Sequence, residues 1–162
     1  MSVQREVSEV LRAIDEAFNR RAWHGTNLRG SIRGLTPSEA AWRPAPGRHN
    51  IWEIVLHAAY WKYAVRQRLW GGKRGSFPIK GSNWFNSPSA ATAAAWRRDV
   101  ALLDEQHRAL RTLIAERWDK AGAGRGYDAA ARRHMVTGIA FHDVYHAGQI
   151  QLLKRLRRGR RS

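Results

Sequence analysis

The sequence contains no cysteine, and this absence limits the chemistry that the chain can perform. Disulfides, thiolate ligands and a cysteine nucleophile are all excluded, so a metal would have to be bound by histidine, carboxylate or water. The chain also has no apolar run long enough to cross a membrane, and its first residues lack the apolar segment of a signal peptide. We therefore expect a cytoplasmic protein that does not contact a membrane.

Acidic residues are scarce. The 162 residues include 13 acidic and 29 basic side chains, which gives a formal net charge of +16. Five of the basic residues are lysine and 24 are arginine, and a basic tail occupies about 154–162. Such a charge favours polyanions such as nucleic acid as partners. Because no nucleic-acid-binding motif accompanies the charge, we favour a solvated basic surface and keep nucleic acid as the less favoured alternative.

The N-terminal third of the chain contains one long and two short predicted helices. Apolar residues at helical spacing predict the first helix from residue 3 to the low twenties. Glycine-rich sequence follows and includes a short helix at about 27–32. Thr36, Pro37 and Glu39 have the residue types of a capping box, and they predict a second short helix.

Three further long helices follow. The second long helix is predicted to start at Asn50 and the third at Ser87-Pro88, and the fourth is predicted to have begun by about Arg132. Glu53 completes a second capping box after Asn50, Gly71 ends the second long helix, and the fourth runs into the basic tail, where Gly159 ends it. Four long amphipathic segments without a convincing strand predict an all-α fold, a four-helix bundle in a single domain over residues 1–162.

A long loop separates the second and third long helices. Residues 71–90 show no periodicity and contain four glycines and two prolines, and loops of this length in compact domains are often functional. Phe77, Trp84 and Phe85 could cover a cavity mouth or pack the loop against the protein. We favour packing.

Three histidines lie on apolar stripes of two different helices. His142 and His146 are four residues apart and lie on one helix face, and His57 lies on the stripe of the second long helix. A buried imidazole is unfavourable unless it gains a hydrogen bond or a metal. Three neutral imidazoles suit a divalent ion such as Zn, Ni or Fe and leave positions for water or substrate. The alternative is that each histidine is hydrogen-bonded inside the core.

Four other polar residues have competing interpretations. For His107, in the seam of the third helix, we favour a core histidine over a fourth ligand. We expect His24 on a surface loop, although it could line a pocket mouth. The capping box explains Glu53 without a role as ligand or base. Asp143 gives the sequence His-Asp-x-x-His, similar to His-Glu-x-x-His of zinc proteases, but Asp is shorter and the downstream third ligand is absent, so we disfavour that assignment.

Two segments resemble the DinB/YfiT-like family of metalloenzymes. One begins at Leu35-Thr36-Pro37-Ser38-Glu39 and continues to Ile51-Trp52-Glu53-Ile54-Val55-Leu56-His57, and the other is Gly138-Ile139-Ala140-Phe141-His142-Asp143-Val144-Tyr145-His146-Ala147-Gly148-Gln149-Ile150. The segments Trp23-His24-Gly25 and Ala95-Trp96 to His107-Arg108 are similar to one subgroup. The resemblance covers nearly the whole chain.

The resemblance implies a four-helix bundle with a divalent metal on His57, His142 and His146. It also implies that Gln149 forms a hydrogen bond near the site and that Gly148 permits close helix approach. Family members are often dimers, and they include thiol-dependent transferases or isomerases that use low-molecular-weight thiols, and metal-dependent hydrolases. We therefore expect a homodimeric hydrolase or thiol-dependent transferase for a small molecule, with its catalytic residues unassigned. The alternative is a non-enzymatic basic protein that binds nucleic acid or a protein partner, with the metal structural or absent.

Overall fold

The computed structural model describes residues 2–72 and 75–159, and all regular secondary structure in this part of the chain is helical. The helices are α1 (Val3–Phe18), α2 (Leu28–Ser31), α3 (Pro37–Ala41), α4 (Ile51–Trp70), α5 (Ala93–Arg117) and α6 (Ala129–Gly159), with a 3₁₀ turn at Trp118–Lys120. Four long helices with two short ones between α1 and α4 confirm the predicted all-α bundle. Among the described helices, none is long and apolar enough to cross a membrane.

Local capping places most of the helix ends that the sequence predicts. The Asn27 side chain caps α2, and both predicted capping boxes form, at Thr36 with Glu39 and at Asn50 with Glu53. In each box the side chain of the first residue accepts from a backbone N–H while the glutamate accepts from the backbone of the cap. These polar contacts fix where the chain enters α3 and α4.

Two predicted helix ends are wrong. Helix α1 ends at Phe18, because the N–H groups of Asn19 and Arg20 both bond back to Asp15 O. Helix α5 begins at Ala93, where the Thr92 hydroxyl accepts from Ala95 N at 3.2 Å, and not at Ser87-Pro88. The Ser87 hydroxyl is occupied by the side chain of Asn50, whose Nδ2 donates to it at 3.0 Å, so Ser87 ties the loop to the start of α4.

The core has two apolar clusters at opposite ends of the bundle. Helix α4 contacts both α5 and α6, and α1 contacts the same two helices. One cluster includes Trp52, Leu103 and Ile150 and takes in the loop residues Phe77 and Phe85. The other consists of residues from α1, α4, α5, α6 and the 3₁₀ turn, including Ile14, Leu69, Leu110, Trp118 and Ile139. The burial of Phe77 and Phe85 confirms that loop aromatics pack against the protein.

A buried ion pair lies between the two clusters. Lys62 of α4 donates to the carboxylate of Asp143 of α6, and the Lys62 side chain has no exposed surface. The Lys62 ammonium also lies 5.0 Å from the ring centroid of Phe18. Burial lowers the pKa of Lys62 and raises the pKa of Asp143 to about 6, and in both cases the attraction between the pair opposes the shift. Each group therefore depends on the other.

The described part of the basic tail is helical, and Arg155 and Arg158 are exposed there, as expected of a solvated basic surface, whereas Lys154 and Arg157 are partly buried. Helix α6 continues to Gly159, and residues 160–162 lie outside the described residues. Lys154 Nζ donates to Ser31 O at 2.9 Å, and Arg157 donates to Glu39 at 2.5 Å. The backbone N–H of Thr36 and the Arg157 side chain lower the pKa of Glu39 to about 2. The tail therefore fastens α2 and α3 to α6.

We predict that the two members of the buried pair are strongly coupled. Lys62→Met or Asp143→Leu alone should lower the free energy of unfolding by about 3 to 5 kcal/mol, because each leaves an unpaired buried charge. The double variant should recover most of that loss. Urea unfolding measures the free energy of all three variants. Arg5→Ala is the control, because the exposed ion pair between Arg5 and Glu9 should contribute less than about 1 kcal/mol. Additive losses in the double variant would contradict the pairing.

Candidate metal centre

Three histidines from α4 and α6 converge on one point. His142 Nε2 lies 3.1 Å from His57 Nε2 and 3.0 Å from His146 Nε2, and one ligand atom of each ring lies within 4.8 Å of the others. Two nitrogens bound at about 2.1 Å to one ion are about 3.0 to 3.4 Å apart for angles between octahedral and tetrahedral. The spacing of the rings therefore fits a three-histidine group that could hold a metal ion.

Two of the rings have their second nitrogen fixed by a protein acceptor. His57 Nδ1 donates to the carbonyl oxygen of Asn83 at 2.8 Å, and His146 Nδ1 donates to Gln149 Oε1 at 2.6 Å. Since a neutral imidazole carries one N–H, both Nε2 atoms then present lone pairs to the centre. His142 Nδ1 is buried and has no hydrogen-bond partner among the described residues. Convergent lone pairs repel one another, and a cation would relieve that repulsion.

The loop between α4 and α5 forms one wall of this centre. The Trp84 indole stacks on the His57 ring with a centroid distance of 3.8 Å, and His49 stacks against Trp84 at 3.7 Å. The preceding residue, Asn83, has a φ of 64°, an uncommon conformation for a residue other than glycine. Its side-chain oxygen accepts from Trp61 Nε1 at 2.9 Å, which stabilises the conformation that presents its carbonyl oxygen to His57.

Burial keeps the three imidazoles neutral. It lowers the pKa of His142 to about 3 and that of His146 to about 4, and it lowers the pKa of His57 as well. The neighbouring rings add to the effect on His142, because a second positive charge so close would be repelled. At neutral pH all three rings therefore have the protonation state that metal binding needs.

The remaining sequence candidates lie apart from the three histidines. Glu53 is occupied by Arg43, His49 and its own capping box, so it is neither a ligand nor a base at this centre. His107 stacks on Phe18 with centroids 3.7 Å apart, as expected of a core histidine. Asp143 is paired with Lys62, which excludes the protease-like role for it.

His24 is exposed and lines a different cleft, so it is a surface-loop histidine that also borders a cavity. Gln149 makes the hydrogen bond expected near the site. The expectation for Gly148 is wrong, because this residue is exposed and a Cβ placed on it would meet no atom within 4 Å.

Sequence reasoning missed two residues that shape the centre. The main-chain carbonyl oxygen of Asn83 accepts a hydrogen bond from His57, and Lys62 forms an ion pair with Asp143, the residue after His142. Asn83 lies in a loop without periodicity, so only its residue type, common among residues with positive φ, could have indicated it. Lys62 could have been noticed as a lysine on the apolar stripe of a helix. Because lysine is rarely fully buried without a partner, this position would have predicted an acidic residue nearby.

The fold and the site thus define the class of this protein: it is an all-helical bundle with a cluster of histidines between two of its long helices. A family model described as the DinB superfamily matches residues 20–150, and the chain belongs to that superfamily. The matched range contains all three histidines. Comparisons with curated proteins and with solved structures gave no significant match.

We predict that the metal-depleted protein loses stability in mild acid. Unfolded histidines have a pKa of about 6.5, whereas burial holds the native pKa of His107 at about 2, of His142 at about 3 and of His146 at about 4. As pH falls below about 6.5, the unfolded chain therefore binds protons that the native state does not, and each such histidine removes about 1.4 kcal/mol per pH unit. Above pH 6.5 this contribution is absent.

Urea unfolding between about pH 7 and 4.5 with a chelator present measures this slope. His107→Gln should reduce it by about 1.4 kcal/mol per pH unit, because one buried titrating group is removed. His134→Gln is the matched control, since His134 is exposed on α6. The same slope in the His107 variant and in the unmodified protein would contradict a neutral, buried His107.

Proposed function

We propose that the chain is a metal-dependent enzyme in which His57, His142 and His146 bind one divalent ion, Zn, Ni or Fe. The convergence of the three Nε2 atoms carries this proposal, with Asn83 O and Gln149 Oε1 accepting the Nδ1 protons of two of the rings. Acceptors of this kind fix the tautomer of a metal-binding histidine and raise its basicity. Membership of the DinB superfamily supports the same assignment.

The chemistry proposed is hydrolysis or thiol-dependent transfer. A bound divalent ion would supply Lewis acidity and would lower the pKa of a water or a low-molecular-weight thiol held there. The protein contributes the orientation of the rings. Gln149 Nε2 donates to the Tyr145 hydroxyl at 2.9 Å, so that its Oε1 stays directed at His146, and Trp84 shields one face of His57.

A small-molecule substrate is supported by a cleft beside the centre. This cleft measures about 460 Å³, a size suited to a small ligand, and it is lined by Trp84 and Gln149, which contact two of the histidines. Leu152 and Leu153 make part of its wall apolar, and Arg48 places a positive charge there. We propose that the substrate is a partly apolar small molecule. The cytoplasmic location and the single-domain organisation remain predictions.

We predict about one metal per chain in protein purified without an affinity tag. Elemental mass spectrometry should find this metal in the unmodified protein and in His134→Ala, an exposed control on the same helix, and should find it lost in His142→Ala. Gln149→Ala should weaken binding by about 10- to 100-fold, because His146 would lose its acceptor. Absence of metal even after incubation with Zn, Ni and Fe salts would contradict the proposal.

Activity assays separate the two reaction classes. Metal-loaded protein should act on esters, or on electrophiles only when a low-molecular-weight thiol is added, and His142→Ala should lose that activity. Metal binding without activity in either assay would favour a structural metal.

We propose further that the protein is a homodimer joined through α6. Phe141, Tyr145, Leu152 and Leu156 are large apolar residues, exposed on one side of this helix, and Phe141 is 71% exposed. Contiguous exposed apolar side chains of this kind mark interaction surfaces. The tendency of the family to form dimers makes a second copy the occupant that we propose for this surface.

We predict that the unmodified protein sediments as a dimer and that Phe141→Glu sediments as a monomer, because a charge at the interface would be desolvated. Val3→Glu is the control, since Val3 is also an exposed apolar residue but lies on α1. A monomeric unmodified protein at micromolar concentration would contradict the dimer.

A further inference from the structure

A second cleft lies between the connection that follows α1 and the C-terminal half of α6. Its volume is about 600 Å³, and its polar lining consists of His24, Thr26, Gln151, Lys154, Arg155 and Arg158. None of its lining residues is acidic. Three cations line it without a carboxylate, and Thr26 and Gln151 add neutral hydrogen-bonding groups. This composition favours an anionic ligand with several oxygen acceptors.

The positive charge of this cleft is not compensated by Glu39, the acidic residue that acts on Lys154. Glu39 is engaged by Arg157 and by the backbone of Thr36. Burial lowers the pKa of Lys154, and the charge of Arg158 lowers it further, while Glu39 only partly opposes these effects. A bound anion would relieve the repulsion between Lys154 and Arg158.

This cleft is separate from the histidine cluster. Gln151 follows His146 by five residues, which places it about 140° further around α6. The cleft therefore faces away from the histidines, and its ligand would not be the substrate of the proposed metal centre. Its α6 lining extends from Val144 to Arg158, about 21 Å along the helix.

An exposed tryptophan stands beside the cleft. Trp23 precedes His24 and is 96% exposed, which is unusual for so large an apolar side chain. Arg20 and Arg21, also exposed, precede it. The connection is held at its base, because Asn27 Nδ2 donates to Arg20 O at 2.7 Å while the Asn27 side chain caps α2. An indole next to a basic cleft provides a surface on which an unpaired base can stack.

We propose that this cleft and Trp23 form a binding site for single-stranded nucleic acid. Lys154, Arg155 and Arg158 would contact phosphates, and Trp23 would stack on a base. Inorganic phosphate would need no exposed indole, and a duplex hides the faces of its bases. A single strand, unlike one nucleotide, could also extend along the α6 lining of about 21 Å while one of its bases stacks on Trp23. The site would also give a function to the net charge of +16.

Fluorescence polarisation with a labelled oligothymidylate of about 12 nucleotides tests the proposal. Binding should be stronger than to a duplex of the same length. Trp23→Ala should weaken it by about 5- to 150-fold, the loss expected for one stacked base. The double variant Arg155→Gln/Arg158→Gln should bind with a weaker salt dependence between about 50 and 200 mM salt. The slope of log affinity against log salt should become shallower by about 1.4, because each lost phosphate contact accounts for about 0.7.

The matched control is Arg97→Gln/Arg108→Gln, which removes the same charge from exposed positions of α5. Its affinity and salt slope should stay close to those of the unmodified protein. An equal loss in the control would overturn the site and would mean that only overall charge attracts the oligonucleotide. Unchanged binding in Trp23→Ala, or full displacement of the oligonucleotide by inorganic pyrophosphate at equal phosphate concentration, would also overturn it.

The same titration with a chelator, and with His142→Ala, keeps this test independent of the metal centre. Both should bind the oligonucleotide as the unmodified protein does, because the cleft lies on another face of α6. Loss of binding in both would overturn the separation of the two sites.

Discussion

The buried pair of Lys62 and Asp143 links the two helices that carry the histidine cluster. Lys62 follows His57 by five residues on α4, and Asp143 directly follows His142 on α6. Apolar packing alone tolerates small shifts between helices, but a fully desolvated ion pair does not, because any separation leaves two charges without water. The pair therefore fixes the position of α4 relative to α6, and with it the distance between His57 and His142.

The rest of the centre depends on a loop as well as on the bundle. Asn83 accepts the Nδ1 proton of His57 and Trp84 covers that ring, while α6 itself provides Gln149 for His146. Two helices thus determine where the rings lie, and the acceptors determine which nitrogen presents a lone pair. Burial adds the third condition, because it keeps the rings neutral well below the usual pKa of histidine.

Much of this arrangement could be predicted from the sequence, because it depends on local patterns. Helical periodicity placed His57, His142 and His146 on inward faces, and two capping boxes marked the starts of α3 and α4. The predicted start of α5 was wrong, because Ser87 has the residue type of a helix cap but its hydroxyl accepts from Asn50, 37 residues away in sequence. The partner of Asp143 could not be predicted either, since Lys62 lies 81 residues away in sequence and only the fold brings them together.

Helix α6 combines three different surfaces. One side carries two of the histidines, a second side presents exposed apolar residues, and a third lines the basic cleft. The 3.6-residue period makes this possible, because residues a few positions apart point in different directions. A single helix can therefore carry a metal centre, a subunit contact and a site for an anionic ligand, and the basic cleft shares no residue with the other two surfaces.

We propose that three neutral imidazoles, held in position by the protein, bind one metal ion. X-ray absorption spectroscopy of zinc-loaded protein would identify these ligands. We expect a first shell that includes three imidazole nitrogens at about 2.0 to 2.1 Å, reduced to two in His57→Ala. A zinc spectrum without imidazole scattering, or one that is identical in His57→Ala, would show that the three rings do not hold the metal.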